Sequence, residues 1–337
     1  MIRWRIEALS RERERERVKR APVAHVFDDI ISVENLLAAW REFLCGKRKR
    51  RDVAKFSLNL MDNILALHRE LQAKSYRHGP YHAFKINDPK PRDIHKASVR
   101  DRLLHHAIYR ILYPYFDRKF IFDSFSCRRD KGQNLAMNRF RAFGRIVSRN
   151  HTRTAWVLKC DVRKFFANID HQILKCILAE KIDDQDVLWL LEQVIDSFSP
   201  GLPLGNLTSQ LLVNVYMNEF DNFLKRNLKI QYCVRYADDF VIVHENRKYL
   251  EKILPRIADF LSKQLKLSLH PDKVFIKTLA SGVDFLGWIH FPHHRVLRTS
   301  TRHRMFKKLK PTSVTSYKGL LSHGNAFGLT QEIEGGK

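Results

Sequence analysis

The sequence predicts an α+β fold, with a helical N-terminal region and a ferredoxin-like sheet in its middle third. In the first third, apolar residues recur at helical spacing over residues 33–43 and 53–73. In the middle third, short apolar runs alternate with helical segments in the order β-α-β-β-α-β, once one additional helix is set aside. This order is typical of the ferredoxin-like sheet, in which the first strand lies beside the central hairpin.

The elements of the middle third follow from local patterns. An apolar run predicts the first strand over residues 156–162, and Asp170 is placed to cap the helix after it. Two further runs, 231–236 and 240–244, predict a hairpin with a three-residue turn. Helices are expected over residues 186–198, from Thr208 onward and around residues 250–261, and a last strand over residues 274–277.

The N-terminal part is predicted in less detail. Residues 76–97 contain Gly and Pro at several positions and are expected to form short strands and turns. The spacing is helical from Arg100, and Pro114 should kink or end that helix. A basic run over residues 47–51 is either a solvated face or a phosphate-binding patch.

The charge of the chain restricts its function. Lys and Arg number 61 against 36 acidic residues, so that the formal net charge is +25. Such an excess fits a polyanionic partner, most often nucleic acid, although a ribosome-like or merely soluble basic protein has the same charge. The hydrophobic share of 44% excludes a wholly disordered chain.

Cysteine usage and hydropathy suggest a cytoplasmic protein. The 5 cysteines are scattered and lack CxxC spacing, so we expect reduced thiols and no zinc site. The first residues mix Arg with Glu and lack the apolar core of a secretory signal. No run of 18 apolar residues is present, and no membrane span is expected.

Three aspartates are expected to meet at one edge of the sheet. Asp238 and Asp239 occupy the predicted hairpin turn, and Asp161 ends the first strand. Adjacent carboxylates raise each other's pKa unless a cation neutralises them. Oxygen ligands without His or Cys suit Mg²⁺, and two such ions can activate a 3′-hydroxyl and neutralise a leaving pyrophosphate. The plain alternative is an ordinary Asp-Asp turn.

Several motifs resemble those of reverse transcriptases. Residues 236–239 read Tyr-Ala-Asp-Asp, like the YxDD motif of that family, and residues 161–166 resemble its upstream metal motif. The similarity extends over residues 76–323. It includes segments similar to the fingers of bacterial enzymes related to group II introns, to the primer-grip turn and to the thumb, at residues 85–102, 284–288 and 317–324.

The resemblance implies a right-hand polymerase. Its expected parts are a charged N-terminal arm, fingers with part of the palm, a palm with the YADD hairpin and primer grip, and a basic thumb, over residues 1–30, 31–155, 156–290 and 291–337. It also implies two Mg²⁺ ions, for which Mn²⁺ can substitute, held by Asp161, Asp238, Asp239 and the backbone carbonyl of Val162. Template RNA, a cDNA primer or duplex and dNTPs are the implied substrates.

One segment indicates a subfamily. Most reverse transcriptases carry a QGxxxSP-like stretch between the two metal motifs, whereas residues 204–210 read LGNLTSQ. This departure resembles the reverse transcriptases of diversity-generating retroelements, which are bacterial or phage-encoded. That family copies a template-repeat RNA with errors opposite adenines, and has a small, basic, helical accessory variability protein, which is oligomeric, as partner. The plain alternative is a Gly-Asn loop followed by a Thr-Ser helix cap.

The resemblance also assigns further roles. Arg92 and Lys90 match residues that grip the incoming triphosphate, and Lys273 is placed to protonate pyrophosphate. Phe166 is either the steric gate against ribonucleotides or a core aromatic residue, and the gate role requires Phe165 to be the buried one. The nucleotide-binding and fidelity positions are Leu204, Gly205 and Gln210.

Basic residues between 295 and 310 are expected to contact the phosphates of an RNA–DNA duplex. The four histidines nearby are interpreted as surface or phosphate-contacting residues: His290, His293, His294 and His303.

Alternatives to the subfamily are a conventional retron-like, intron-derived or phage-defence reverse transcriptase, and a catalytically inactive RNA-binding scaffold. A nucleotide cyclase is disfavoured because its Gly-Gly-acid hairpin is absent.

Overall fold

The structure, a computed structural model, describes residues 26–87 and 91–335. Most of the predicted N-terminal arm and Lys90 lie outside the described residues. Two compact units are formed, the first from the described parts of Met1–Phe120 and Phe166–Glu219, the second from those of Ile121–Phe165 and Phe220–Lys337. The expected boundaries of fingers, palm and thumb stay predictions.

The first unit is helical apart from one hairpin. The strands β1 (His82–Ile86) and β2 (Arg92–Lys96) pair antiparallel, as the Gly- and Pro-containing segment predicted. The helices of this unit, including one that ends in the second unit, are Phe27–Ile31, Val33–Phe43, Arg51–Leu58, Leu60–Gln72, Val99–Asp117, His171–Ala179, Gln185–Ile195 and Leu207–Asn222.

One expectation for the first unit was wrong, and one of the two alternatives given for another was excluded. The helix predicted over residues 53–73 is interrupted at Asn59, where φ is −118° and ψ is 45°. Asn side chains compete with the backbone for hydrogen bonds and so disfavour helix interiors. The helix Val99–Asp117 continues past Pro114, so that, of the two expected effects of this proline, an end to the helix is excluded. A proline there costs about 3 kcal/mol, whereas each buried apolar side chain of this helix contributes about 1.5–3 kcal/mol, and many are buried.

The second unit contains the predicted ferredoxin-like sheet. Its strands are β3 (Trp156–Asp161), β4 (Cys233–Tyr236), β5 (Asp239–His244) and β6 (Phe275–Thr278). Their order is β4-β5-β3-β6, with every pair antiparallel, so the first strand does lie beside the hairpin. The hairpin turn has two residues rather than three, because Asp239 pairs with Tyr236 and belongs to β5.

Alternating residues of the sheet build the core of the second unit. Val157 on β3 and Val241 and Val243 on β5 share one face and pack in a cluster with residues of the helix Gln133–Val147. The opposite face is also buried, and the helix Arg247–Leu265 contacts three of the four strands. Burial on both faces explains why these strands read as continuous apolar runs.

A second sheet and three helices complete the described C-terminal part. The strands β7 (Val283–Phe285), β8 (Trp288–His290) and β9 (Arg295–Leu297) form an antiparallel meander. The segment that resembles the primer grip is the β7–β8 hairpin. The helices that follow are Thr299–Lys307, Val314–Leu321 and Phe327–Gly335, and Trp288 lies in a buried cluster with residues from them.

Two residues expected at the surface are buried. His290 is 3% exposed because it points inward from β8, and its Nε2 lies 3.2 Å from the carbonyl oxygen of Phe285. Arg295 is 9% exposed and donates to the carbonyl oxygen of His323. The surface interpretation is therefore wrong for His290 and for Arg295. The histidines at 293, 294 and 303 are exposed, as expected.

The described residues contain no disulfide, and their five cysteines are free, as the sequence predicted. In the part of the chain that the structure describes, no helix is both long and apolar enough to cross a membrane.

Replacement of Gly324 by Ala should destabilise the cluster around Trp288. A Cβ at Gly324 would lie 2.0 Å from Cζ3 of Trp288, so the indole must move. We expect a loss of about 1–3 kcal/mol in the free energy of unfolding, measured by chemical denaturation. The control is Gly319→Ala, inside the helix Val314–Leu321, where nothing lies within 4 Å of the added Cβ. It should be neutral or stabilising; equal effects of both changes would contradict the packing argument.

Candidate active site

The three aspartates lie together at one edge of the ferredoxin-like sheet. Asp161 ends β3 and Asp239 begins β5, and the two are direct partners across the antiparallel ladder. Residues paired in this way have Cα atoms about 4.5–5.5 Å apart. Asp238 occupies the turn before β5, and its carbonyl oxygen accepts a hydrogen bond from the N–H of Val162 at 3.0 Å. The end of β3 is thus tied to the turn by backbone as well as by register.

Two lysines neutralise part of this carboxylate cluster. Lys159 Nζ lies 3.2 Å from Oδ1 of Asp239, and Lys273 Nζ donates to Oδ1 of Asp161 at 2.8 Å. Lys159 is 7% exposed, which is unusual for a lysine in an apolar strand. The sequence interpretation included Lys273 but missed Lys159. The sequence did indicate Lys159, because a residue two positions before Asp161 on a strand lies on the same face of the sheet as Asp161.

Burial and mutual repulsion perturb these carboxylates. Burial raises the pKa of Asp239 to about 7, with Lys159 opposing the rise and Asp161 and Asp238 adding to it. Burial also raises the pKa of Asp238, and the nearby charge of Asp161 adds to that effect. Both raised pKa values mean that the positive charges of the protein do not fully compensate the negative charges of the ionised Asp238 and Asp239. A bound cation would therefore stabilise this site.

The residues present fit a divalent metal in chemistry. Oδ1 of Asp239 is buried and accepts no hydrogen bond among the described residues, although Lys159 forms an ion pair with it. The N–H of Val162 faces the Asp238 turn. In an antiparallel ladder the N–H and carbonyl of one residue point to the same side, so the carbonyl of Val162 faces the turn as well. The available donors are thus hard oxygens, as Mg²⁺ or Mn²⁺ prefers.

No complete ligand set is assembled, however. Among residues 26–87 and 91–335, no group of three Asp, Glu, His or Cys side chains is arranged to hold a metal. Lys273 and Lys159 engage two of the three carboxylates in ion pairs. A metal would have to compete with Lys273 for Asp161.

Of the predicted nucleotide-binding residues, Lys273 lies in the second unit and Lys90 lies outside the described residues. The others are in the first unit, and three of them share one region. The carbonyl oxygen of Leu204 accepts from the N–H of His95 on β2 at 3.2 Å. A Cβ at Gly205, where φ is 114°, would lie 3.2 Å from Cγ2 of Ile94 on the same strand. Arg92 begins β2 and is exposed. The structure therefore brings Arg92, Leu204 and Gly205 to the same strand.

A polar contact missed from the sequence holds this loop. Asn206 is 2% exposed, and its Nδ2 donates to the hydroxyl of Tyr81 at 3.1 Å. That hydroxyl also lies 2.9 Å from Oγ of Ser197. No short motif identifies Tyr81, because its partners are distant in sequence.

The remaining predicted residues are placed separately. Phe165 is 3% exposed and Phe166 is half-buried, which is the arrangement that the gate role requires. Gln210 is half-buried in the helix Leu207–Asn222. That helix begins at Leu207, so Thr208 lies in its first turn and is not the cap that the plain alternative placed there.

Comparisons with known proteins place the chain in a family. Residues 85–290 match the family described as reverse transcriptase (RNA-dependent DNA polymerase). Protein YkfC of Escherichia coli K12 is 26% identical over 284 residues, which cover 70% of this chain and 72% of that protein. The group II intron-encoded protein LtrA of Lactococcus lactis subsp. cremoris is 22% identical over 300 residues, covering 68% of this chain and 48% of LtrA.

A solved structure has a similar fold. The structure of apo telomerase from Candida tropicalis superposes with a TM-score of 0.52 at 11% sequence identity, covering 73% of this chain and 52% of the telomerase chain. The chain thus spans about half the length of LtrA and of this telomerase. The match to residues 85–290 covers well over half of the sequence, and the chain therefore belongs to the reverse transcriptase family of RNA-dependent DNA polymerases.

Proposed function

We propose that this chain copies RNA into DNA by two-metal nucleotidyl transfer at Asp161, Asp238 and Asp239. The observation that carries the proposal is the direct pairing of Asp161 with Asp239 beside the Asp238 turn. Members of the family generally use divalent metal ions, and the oxygen-only donor set favours Mg²⁺, with Mn²⁺ as a substitute. Template RNA, a cDNA primer or duplex and dNTPs are the substrates.

The side chains have distinct roles in this proposal. Asp161, Asp238, Asp239 and the carbonyl of Val162 hold the ions, which when bound activate the primer 3′-hydroxyl and neutralise the pyrophosphate. Lys273, released from Asp161, donates a proton to the leaving pyrophosphate. Lys159 helps to keep the Asp239 carboxylate ionised despite its burial.

Arg92 and Phe166 recognise the triphosphate and the sugar in this proposal. Arg92 grips the triphosphate, because a guanidinium binds phosphate through two parallel hydrogen bonds. Lys90, outside the described residues, is a second candidate for this contact. The half-buried ring of Phe166 contacts the sugar, where a 2′-hydroxyl would collide with it.

We further propose that the chain is the error-prone polymerase of a diversity-generating retroelement. The support is the loop 204–206, which is anchored through the backbone carbonyl of Leu204 to His95 and through the side chain of Asn206 to Tyr81, while the half-buried Leu204 side chain offers no hydrogen bond. A loop fixed in this way can present an apolar group to the nucleotide without losing its shape. Discrimination between correct and incorrect nucleotides then depends mainly on base pairing, because the protein adds no hydrogen bond from this side chain.

In this context the template is a template-repeat RNA, and an oligomeric, basic, helical accessory variability protein is the partner. The competing candidate is a conventional intron-derived reverse transcriptase, which the similarity to LtrA favours. Copying a defined RNA with the purified chain, with and without a candidate accessory protein, separates the two. Errors concentrated opposite adenine support the retroelement, and uniformly accurate copying supports the conventional enzyme.

Asp238→Asn should abolish RNA-templated primer extension. Changes in residues that merely support metal ligands already cost about 10–100-fold, so we expect the loss of a ligand to exceed about 100-fold in kcat. The control is Asp259→Asn, which removes an exposed ion pair with Lys263 and should leave kcat unchanged. If the wild-type chain binds RNA but shows no Mg²⁺-dependent synthesis, the chain is an inactive scaffold and the proposed activity is wrong.

Leu204→Gln should lower the error rate opposite template adenines. A glutamine there can add one hydrogen bond near the nucleotide, worth about 0.5–1.5 kcal/mol, which corresponds to about a 2- to 10-fold fall in errors. Sequencing of the cDNA product measures the effect. Leu58→Gln, at a leucine that is 83% exposed at the end of the helix Arg51–Leu58, is the matched control. An error spectrum that is unchanged by Leu204→Gln would remove this residue from the fidelity role.

Phe166→Ala should increase incorporation of ribonucleotides by at least about tenfold relative to deoxyribonucleotides, because the steric barrier at the sugar is removed. The ratio of kcat/KM values for the two nucleotide types measures it. The neighbouring change Phe165→Ala should instead destabilise the protein by about 3–5 kcal/mol, since that ring is 3% exposed. Retained sugar selectivity in Phe166→Ala would show that Phe166 is only a packing residue.

A further inference from the structure

A buried arginine lies on the strand that leads into the YADD turn. Arg235 on β4 is 2% exposed, and its Nε and Nη2 donate to the two carboxylate oxygens of Asp221 at 2.7 and 2.6 Å. Asp221, near the end of the helix Leu207–Asn222, is 0% exposed. Two parallel hydrogen bonds fix the plane of the guanidinium as well as its position.

The same guanidinium reaches the turn itself. Nη1 of Arg235 donates to the carbonyl oxygen of Ala237 at 3.1 Å, and Nη2 also donates to Oγ of Ser124 at 2.9 Å. Ala237 has φ of 56°, in the left-handed region that is unfavourable for residues with a Cβ. A strained conformation of this kind persists only where its surroundings hold it in place.

The backbone of Arg235 is restrained on the side away from β5. Its N–H donates to the carbonyl oxygen of Asp123 at 2.9 Å, and its own carbonyl accepts from the N–H of Phe125 at 3.0 Å. The arginine is therefore fixed by its main chain, by Asp221 and by Ser124, and its Nη1 contact with Ala237 acts on the turn. Arg235 thus connects residues 123–125, which bond its backbone, to the strained residue Ala237 beside Asp238.

We propose that Arg235 is a positioning residue for the metal site, which holds the carbonyl of Ala237 so that Asp238 and Asp239 are presented towards Asp161. This inference rests on the proposed function. Asp221 neutralises the guanidinium, so the expected effect is on the geometry of the turn rather than on its net charge. Replacement of a buried ion pair by apolar side chains often leaves a protein as stable as before, which allows positioning to be separated from folding.

The test uses the full chain with Arg235→Met and Asp221→Leu combined. The readouts are the melting temperature, the affinity for Mn²⁺ measured by electron paramagnetic resonance, and kcat and KM for primer extension. Mn²⁺ binding that is lost in Asp238→Asn defines the relevant site. We expect a melting temperature equal to or above that of the wild type, Mn²⁺ affinity and kcat each lowered about 10–100-fold, and an unchanged KM for the primer–template.

A second variant covers the case in which the double variant fails to fold. Arg235→Lys keeps a charge beside Asp221 but cannot also reach Ala237 and Ser124 with fixed geometry. It should melt cooperatively and bind Mn²⁺ more weakly than the wild type. The matched control is Arg110→Lys in the first unit, at an arginine paired with Glu42 and Asn35, which should leave Mn²⁺ affinity unchanged.

A folded double variant, or Arg235→Lys, with wild-type Mn²⁺ affinity and kcat would overturn the inference and leave Arg235 as a packing residue. Failure of the proposed function gives a different result. In that case the wild-type chain itself shows no Mn²⁺ binding that depends on Asp238.

Discussion

The register between β3 and β5 is the constraint on which the active site depends. Side chains alternate along a strand, so a shift of one residue would turn every inward side chain outward. Val157 on β3 lies opposite Val243, and both pack in the core. That apolar pairing fixes the register, and the register in turn sets Asp161 opposite Asp239 at the other end of the ladder. The hydrophobic core thus forces together carboxylates that repel each other.

Positive charge of two kinds offsets this repulsion. Lys159 and Lys273 form ion pairs with the carboxylates themselves. Ammonium groups are flexible point charges and can give way to a metal or to substrate. Arg235 instead has its charge matched by Asp221 and contributes a hydrogen bond to the turn. The two lysines therefore neutralise the carboxylates and can be displaced, whereas Arg235 holds the turn and stays in place.

Most of the fold was predictable, because long periodic segments and the β-α-β-β-α-β order depend on local patterns that the sequence displays directly. The placement of Asp161 beside the hairpin followed from that order. Local preference was outweighed by packing at some positions, as at Pro114 inside a helix with a largely buried face. Arg235 was missed because the identity of its partner, Asp221, is set by tertiary structure and not by sequence spacing. Lys159 was missed although its position two residues before Asp161 on the same strand gave a signal.

The loop at residues 204–206 shows why one side chain there can change function without changing the fold. Its contacts with β2 and with Tyr81 involve the backbone of Leu204, the space at Gly205 and the side chain of Asn206. The side chain of Leu204 takes part in none of these contacts. The backbone of residue 204 and the residues Gly205 and Asn206 fix the shape of the loop. The side chain at position 204 can therefore be replaced without changing that shape. Under the proposed function, a departure from the common family motif at this position therefore bears on fidelity rather than on folding.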